Sequence, residues 1–151
     1  MKFYIEYLEP DESEVAYLRK ADLGRADLSD LTLKMLWSKV GLTHEEFTFD
    51  GYGFAIGYIA SILYVVENLS RLGKIEIVLD ESADWLHFEH VNERIKISGD
   101  EQEVLADSAT FVRVFREFAL GFINDTVKRY PDLGKNSAIV SLLRRIRRVS
   151  P

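Results

Sequence analysis

The chain has 151 residues, 47% of them hydrophobic and 29% charged, which excludes a disordered segment and supplies enough apolar material for one domain spanning 1–151. A formal net charge of −6 and a pI of about 5.1 exclude a general nucleic-acid binder, since neutralising phosphate requires a basic surface. Cysteine is absent, which excludes disulfides, thiolate nucleophiles and cysteine-bound zinc.

The opening MKFYIEYLEPDE reaches acidic residues before any long apolar run, so it does not read as a secretory signal. The expected location is the cytoplasm. Lys2 to Leu8 alternates, with Phe3, Ile5 and Tyr7 on one side and Lys2, Tyr4 and Glu6 on the other, as in a half-buried strand. Pro10 ends it, and Ser13 to Lys20 reads as a short helical turn. The ten residues ADLGRADLSD, 21–30, resemble two copies of the A-D-L-x-x unit of pentapeptide-repeat proteins. Repeat folds need several units to bury a continuous core and no third copy follows, so the stretch reads as a polar loop anchored by Leu23 and Leu28.

Leu31 to Val40 is strand-like, with Leu31, Leu33, Met35 and Trp37 on one face and Thr32, Lys34 and Ser38 on the other; Leu36 breaks the pattern. Gly41 is expected to begin a connection. Extended structure resumes from Glu46 to Phe49, pairs with the preceding strand, and turns at Asp50-Gly51 into the next element. That element, Tyr52 to Leu72, is the predicted centre of the fold. It carries no charge from Gly53 to Val66, so as a helix it must be covered on more than one face. Gly53, Gly57 and Ser61 lie along one stripe that would admit a close neighbour. Asp50 and Glu67 bracket a run shorter than the about 20 apolar residues a membrane-spanning helix needs, so a buried core helix is expected and no membrane. Arg71 and Gly73 mark its end.

Three alternating runs follow, 74–79, 85–91 and 94–98, and read as an antiparallel meander. Ile75, Ile77, Leu79, Leu86, Phe88, Ile95 and Ile97 should face the central helix. The opposite face would carry Glu76 and Val78, then Trp85, His87 and Glu89, then Arg94 and Lys96. Asp107 or Ser108 can cap a long helix running to Tyr130, with Phe111, Phe115, Phe118, Phe122 and Ile123 on its apolar face, and Pro131 stops it. Asn136 can cap a final helix, Ser137 to Arg148, whose arginines suit a helix C-terminus. The expected fold class is therefore α+β: a mostly antiparallel β-sheet packed on a central apolar helix, with a long C-terminal helix and a short final one.

No catalytic motif emerges. The sequence holds no G-x-S-x-G elbow, Walker loop, dinucleotide fingerprint or kinase signature, and GYGFAIG reads as packing glycines. His87 and His90 are three apart in a strand and point to opposite faces, so no shared metal is expected. Asp80, Glu81 and Asp84 lack the glycine and distal glutamate of an EF-hand and read as a solvated turn. No cofactor is expected.

The candidate partner-binding set is Glu76, Asp80, Glu81, Asp84, Trp85, His87 and Glu89, because there an exposed aromatic anchor coincides with carboxylates that would attract a basic protein. The competing reading is that another part of the chain, such as the last helix, covers that face.

The stretches FAIGYIASILYVVENL, GKIEIVLDESADWLHFEHV, RIKIS and FALGFINDTVKRYPDLGKN resemble, over roughly residues 31–140, a group of small bacterial domains organised like the immunity proteins encoded beside polymorphic or contact-dependent toxins. The resemblance implies a protein that neutralises a cognate toxin by binding it, without catalytic residues. The alternatives are a small-molecule-binding protein or enzyme whose pocket the sequence does not disclose, and a structural subunit of a larger assembly.

Overall fold

The computed structural model describes residues 1–8, 12, 22–25, 36–79 and 85–150. Its strands form two antiparallel sheets: β1 (Lys2–Tyr7), β2 (Trp37–His44) and β3 (Phe47–Phe54) in the first, and β4 (Lys74–Val78), β5 (Trp85–Val91), β6 (Arg94–Gly99) and β7 (Gln102–Asp107) in the second, each in sequence order. Helices α1 (Ala55–Leu72), α2 (Ser108–Arg129) and α3 (Ser137–Arg148) complete the α+β fold, with a 3₁₀ turn, Pro131–Lys135, between the last two. No described helix is long and apolar enough to cross a membrane.

Helix α1 sits at the centre, touching β2, β3, β4, β5 and α2. Ile56, Tyr58, Ile59, Ile62, Leu63, Val65 and Leu69 are buried on successive turns, while Gly57 and Tyr64 remain exposed along the side of the small-residue stripe. Gly73, at a φ of 80°, ends the helix as expected and donates its N–H to the Leu69 carbonyl at 2.8 Å. The helix starts at Ala55 rather than Tyr52, because β3 runs directly into it.

The expected turns at Gly41 and at Asp50-Gly51 are corrected: both lie inside strands, where Gly41 stands opposite Tyr4 and Asp50, and Gly51 opposite Val40. Glycine is required at 41 for packing. A Cβ there would lie 2.5 Å from the Phe49 carbonyl oxygen and 2.7 Å from the Tyr4 hydroxyl. Asp50 tolerates mid-strand placement because the Tyr4 hydroxyl donates to it at 3.1 Å and Lys39 lies 3.6 Å away. Burial and this hydrogen bond, in that order, raise the Tyr4 phenol above its ordinary range.

The faces of β2 are also reversed from expectation: Ser38, Val40 and Leu42 are buried, and Ser38 meets its hydrogen-bonding need at the Leu36 carbonyl, 3.1 Å away. Residues 31–35 of the predicted strand, the predicted helical turn at 13–20 and Leu28 lie outside the described residues. Leu23 is buried as expected. Strand β7 was not anticipated at all.

One core joins the sheets. Phe3 of β1 packs edge-on against Phe111 of α2 at 5.3 Å between ring centroids, and Phe88 of β5 meets the same ring at 5.9 Å. Asp107 caps α2 by accepting the Thr110 N–H at 2.8 Å, and Asn136 caps α3 by accepting from Ala138 and Ile139. Buried Asn136 also donates to the Leu23 carbonyl at 2.8 Å, fastening the Asp22–Arg25 turn to the start of α3. Helix α3 packs on α2 and the 3₁₀ turn, and Arg145 forms an ion pair with Glu67 of α1.

Candidate protein-binding face

In the second sheet, alternation puts Ile75, Ile77, Leu86, Phe88, Ile95, Ile97, Val104 and Ala106 inward, where α1 and α2 cover them. The other face is the candidate site. The last helix does not cover it: Trp85 keeps 49% of its surface, Leu105 48% and Val78 41%.

The register places its side chains in cross-strand rows. Val78 stands opposite Trp85, Glu76 opposite His87, and Lys74 opposite Glu89, which in turn faces Lys96 and then Leu105. Val78 and Trp85 form an apolar corner. At the diagonal corner Val91, Arg94 and Leu105 border an open hollow of 540 Å³.

Between the corners the charges are mostly paired. Glu89 accepts from Lys96 and lies 3.7 Å from Lys74, and His87 Nδ1 is 2.9 Å from Glu76 Oε1. The Lys96 hydrogen bond holds the Glu89 carboxyl below its ordinary range, and the same bond raises Lys96. Of the predicted set, Glu76, Trp85, His87 and Glu89 thus share one surface. Asp80, Glu81 and Asp84 lie outside the described residues. On the described part, Lys74, Arg94 and Lys96 oppose Glu76, Glu89, Glu103 and Asp107, so the face is of mixed charge.

Leu105 and Glu103 were missed because β7 was missed; the alternation of buried Val104 and Ala106 with exposed Glu103 and Leu105 was the available signal. His87 and His90 fall on opposite sides of β5, and no group of three or more histidine or acidic side chains able to hold a metal occurs among the described residues.

A separate cleft of 240 Å³ lies between β1 and the end of α2, lined by Tyr7, Phe122, Asp125, Arg129 and Tyr130, with Arg129 stacked 4.9 Å above the Tyr7 ring. It is smaller than the about 300–1,000 Å³ of small-molecule sites.

Comparison with known proteins returns no match: no family model fits the chain, and no curated protein or solved structure is significantly similar to it.

Proposed function

We propose that this chain is a non-catalytic binding protein that acts in the cytoplasm as an inhibitor of the toxin-immunity kind, engaging a protein toxin through the outer face of its four-stranded sheet. The observation that carries this reading is the exposed Val78–Trp85 pair on a sheet face that no described helix covers. A tryptophan held on a rigid strand offers a large contact area at low entropic cost, and the paired charges beside it supply a polar rim. The net charge of −6 favours a basic partner and a fast, salt-sensitive encounter.

The test is co-expression with the product of the neighbouring gene, scoring growth, together with surface plasmon resonance on the purified pair. Wild type should restore growth. Trp85→Ala should weaken binding by about 2 kcal/mol or more if the residue is a hot spot, while unfolding within about 0.5 kcal/mol of wild type as exposed positions do. Asp80→Lys with Asp84→Lys should slow association. Unchanged affinity in Trp85→Ala, or a neighbouring product that neither harms cells nor binds, would sink the proposal.

A further inference from the structure

Among the described residues, strand β4 is the edge of the second sheet, and its backbone register shows which groups point away from β5. The Gly73 carbonyl accepts from the His90 N–H at 2.8 Å, and hydrogen-bonded pairs alternate along an antiparallel ladder. Ile75 and Ile77 therefore direct their N–H and C=O groups at β5, as Gly73 does its carbonyl alone, its N–H being bonded to Leu69. Lys74, Glu76 and Val78 direct theirs outward. This edge has no proline, and a groove of 420 Å³ lined by Ala60, Ser61 and Tyr64 of α1 and by Glu76, Ile77 and Val78 runs along it. Such an edge is a template for another strand.

We infer that β4 pairs antiparallel with β4 of a second copy of the chain, about a two-fold axis at Ile75, making one continuous eight-stranded sheet. The charge pattern selects this register. Centring on Ile75 places Lys74 opposite Glu76 of the second copy, and Glu76 opposite its Lys74, so both ion pairs are complementary. Both residues are exposed and free to re-pair, at 77% for the Lys74 side chain and 59% for that of Glu76. The outward backbone groups of Lys74 and Glu76 fall opposite one another and give about four hydrogen bonds. Val78 and Leu72, exposed at 41% and 44%, lie at the two ends of the paired segment and are brought together.

Shifting the axis to Glu76 would oppose two glutamates. The other edge of the sheet is guarded in the same way: Ser108 donates to the Glu93 carbonyl, so Glu103, Leu105 and Asp107 face outward from β7, and a two-fold axis at Leu105 would set Glu103 against Asp107. A pairing that joins residues of the same parity keeps the faces of the sheet in register, so α1 of the second copy lies beside α1. Its exposed stripe suits that approach, since a Cβ on Gly57 would meet only Phe54, at 3.8 Å. The pairing is isologous and closes at two copies.

Sedimentation of the full chain from micromolar to millimolar concentration tests this. Wild type should pass from monomer to dimer, with weaker association at high salt. Lys74→Glu and Glu76→Lys should each weaken dimerisation by at least about tenfold through like-charge opposition, and the double variant should regain it. Glu76→Pro, which removes an outward N–H, should remain monomeric while keeping wild-type circular dichroism. A wild-type monomer throughout, single variants that dimerise normally, a double variant that fails to recover, or growth beyond two copies would each overturn the inference.

Discussion

The Tyr58 hydroxyl donates a hydrogen bond of 2.7 Å to the carbonyl oxygen of Gly41, tying the first turn of α1 to the middle of β2. Both partners are buried, so removing the donor leaves an acceptor without access to water. Tyr58→Phe is expected to cost about 1–2 kcal/mol in denaturant unfolding. Gly41→Ala should cost about 1–3 kcal/mol, because its methyl meets backbone and a packed ring rather than a movable side-chain tip. The pH dependence has a definite sign. Burial, with the Tyr4 charge second, raises the Tyr58 phenol, so its contribution is complete below the ordinary phenol range, about pH 10, and declines as pH rises beyond it. Tyr58→Phe should flatten that alkaline decline.

Ile59 and Leu63 of α1 are fully buried. Each replacement by alanine should cost about 2–5 kcal/mol, measured by urea unfolding. A loss below about 1 kcal/mol at either site would contradict the packing described.

Asp107 joins β7 to α2, and the Thr110 N–H it accepts holds its carboxyl below the ordinary range. Its contribution is therefore present above the unfolded carboxylate range and fades as pH falls through the depressed value. Asp107→Ala should lower the thermal midpoint by a few degrees at neutral pH. Asp107→Asn should keep the cap at neutral pH and lose only the acid sensitivity, as thermal scans across pH can show.

On the outer face, the Glu89 carboxyl should titrate below the usual glutamate range when followed by NMR. Removing its principal partner in Lys96→Ala should move the titration upward. An unchanged titration would show that the Lys96–Glu89 bond does not persist in solution.

Where side chains alternate cleanly, sequence was a sufficient guide. Ile75, Ile77, Leu86, Phe88, Ile95 and Ile97 went inward and Trp85, His87 and Glu89 outward, as period-2 patterning requires. The turns assigned to Gly41 and Asp50-Gly51 failed because glycine and aspartate were read as local punctuation. Both are instead set by contacts distant in sequence, Tyr4 above Gly41 and Tyr4 with Lys39 around Asp50. Alternation set Ser38 with Thr32 and Lys34 on the face opposite Trp37; its hydroxyl bonds to the Leu36 carbonyl, so that face can be buried. The neutralisation of Glu89 was hidden for a related reason: it depends on which residues stand opposite across β4 and β6, and register is not written in a single strand.

The Asn136 bridge to Leu23 joins positions 113 apart in sequence. On the ribosome, the Asp22–Arg25 turn emerges long before the residue that holds it, and Phe3 likewise precedes its partner Phe111. The early segments must wait unsatisfied while the whole of both sheets is synthesised. Loop closure over such distances is slow, so assembly should finish with the docking of α2 and α3, and a stalled chain lacking them would expose the apolar side of β1 to association with other chains.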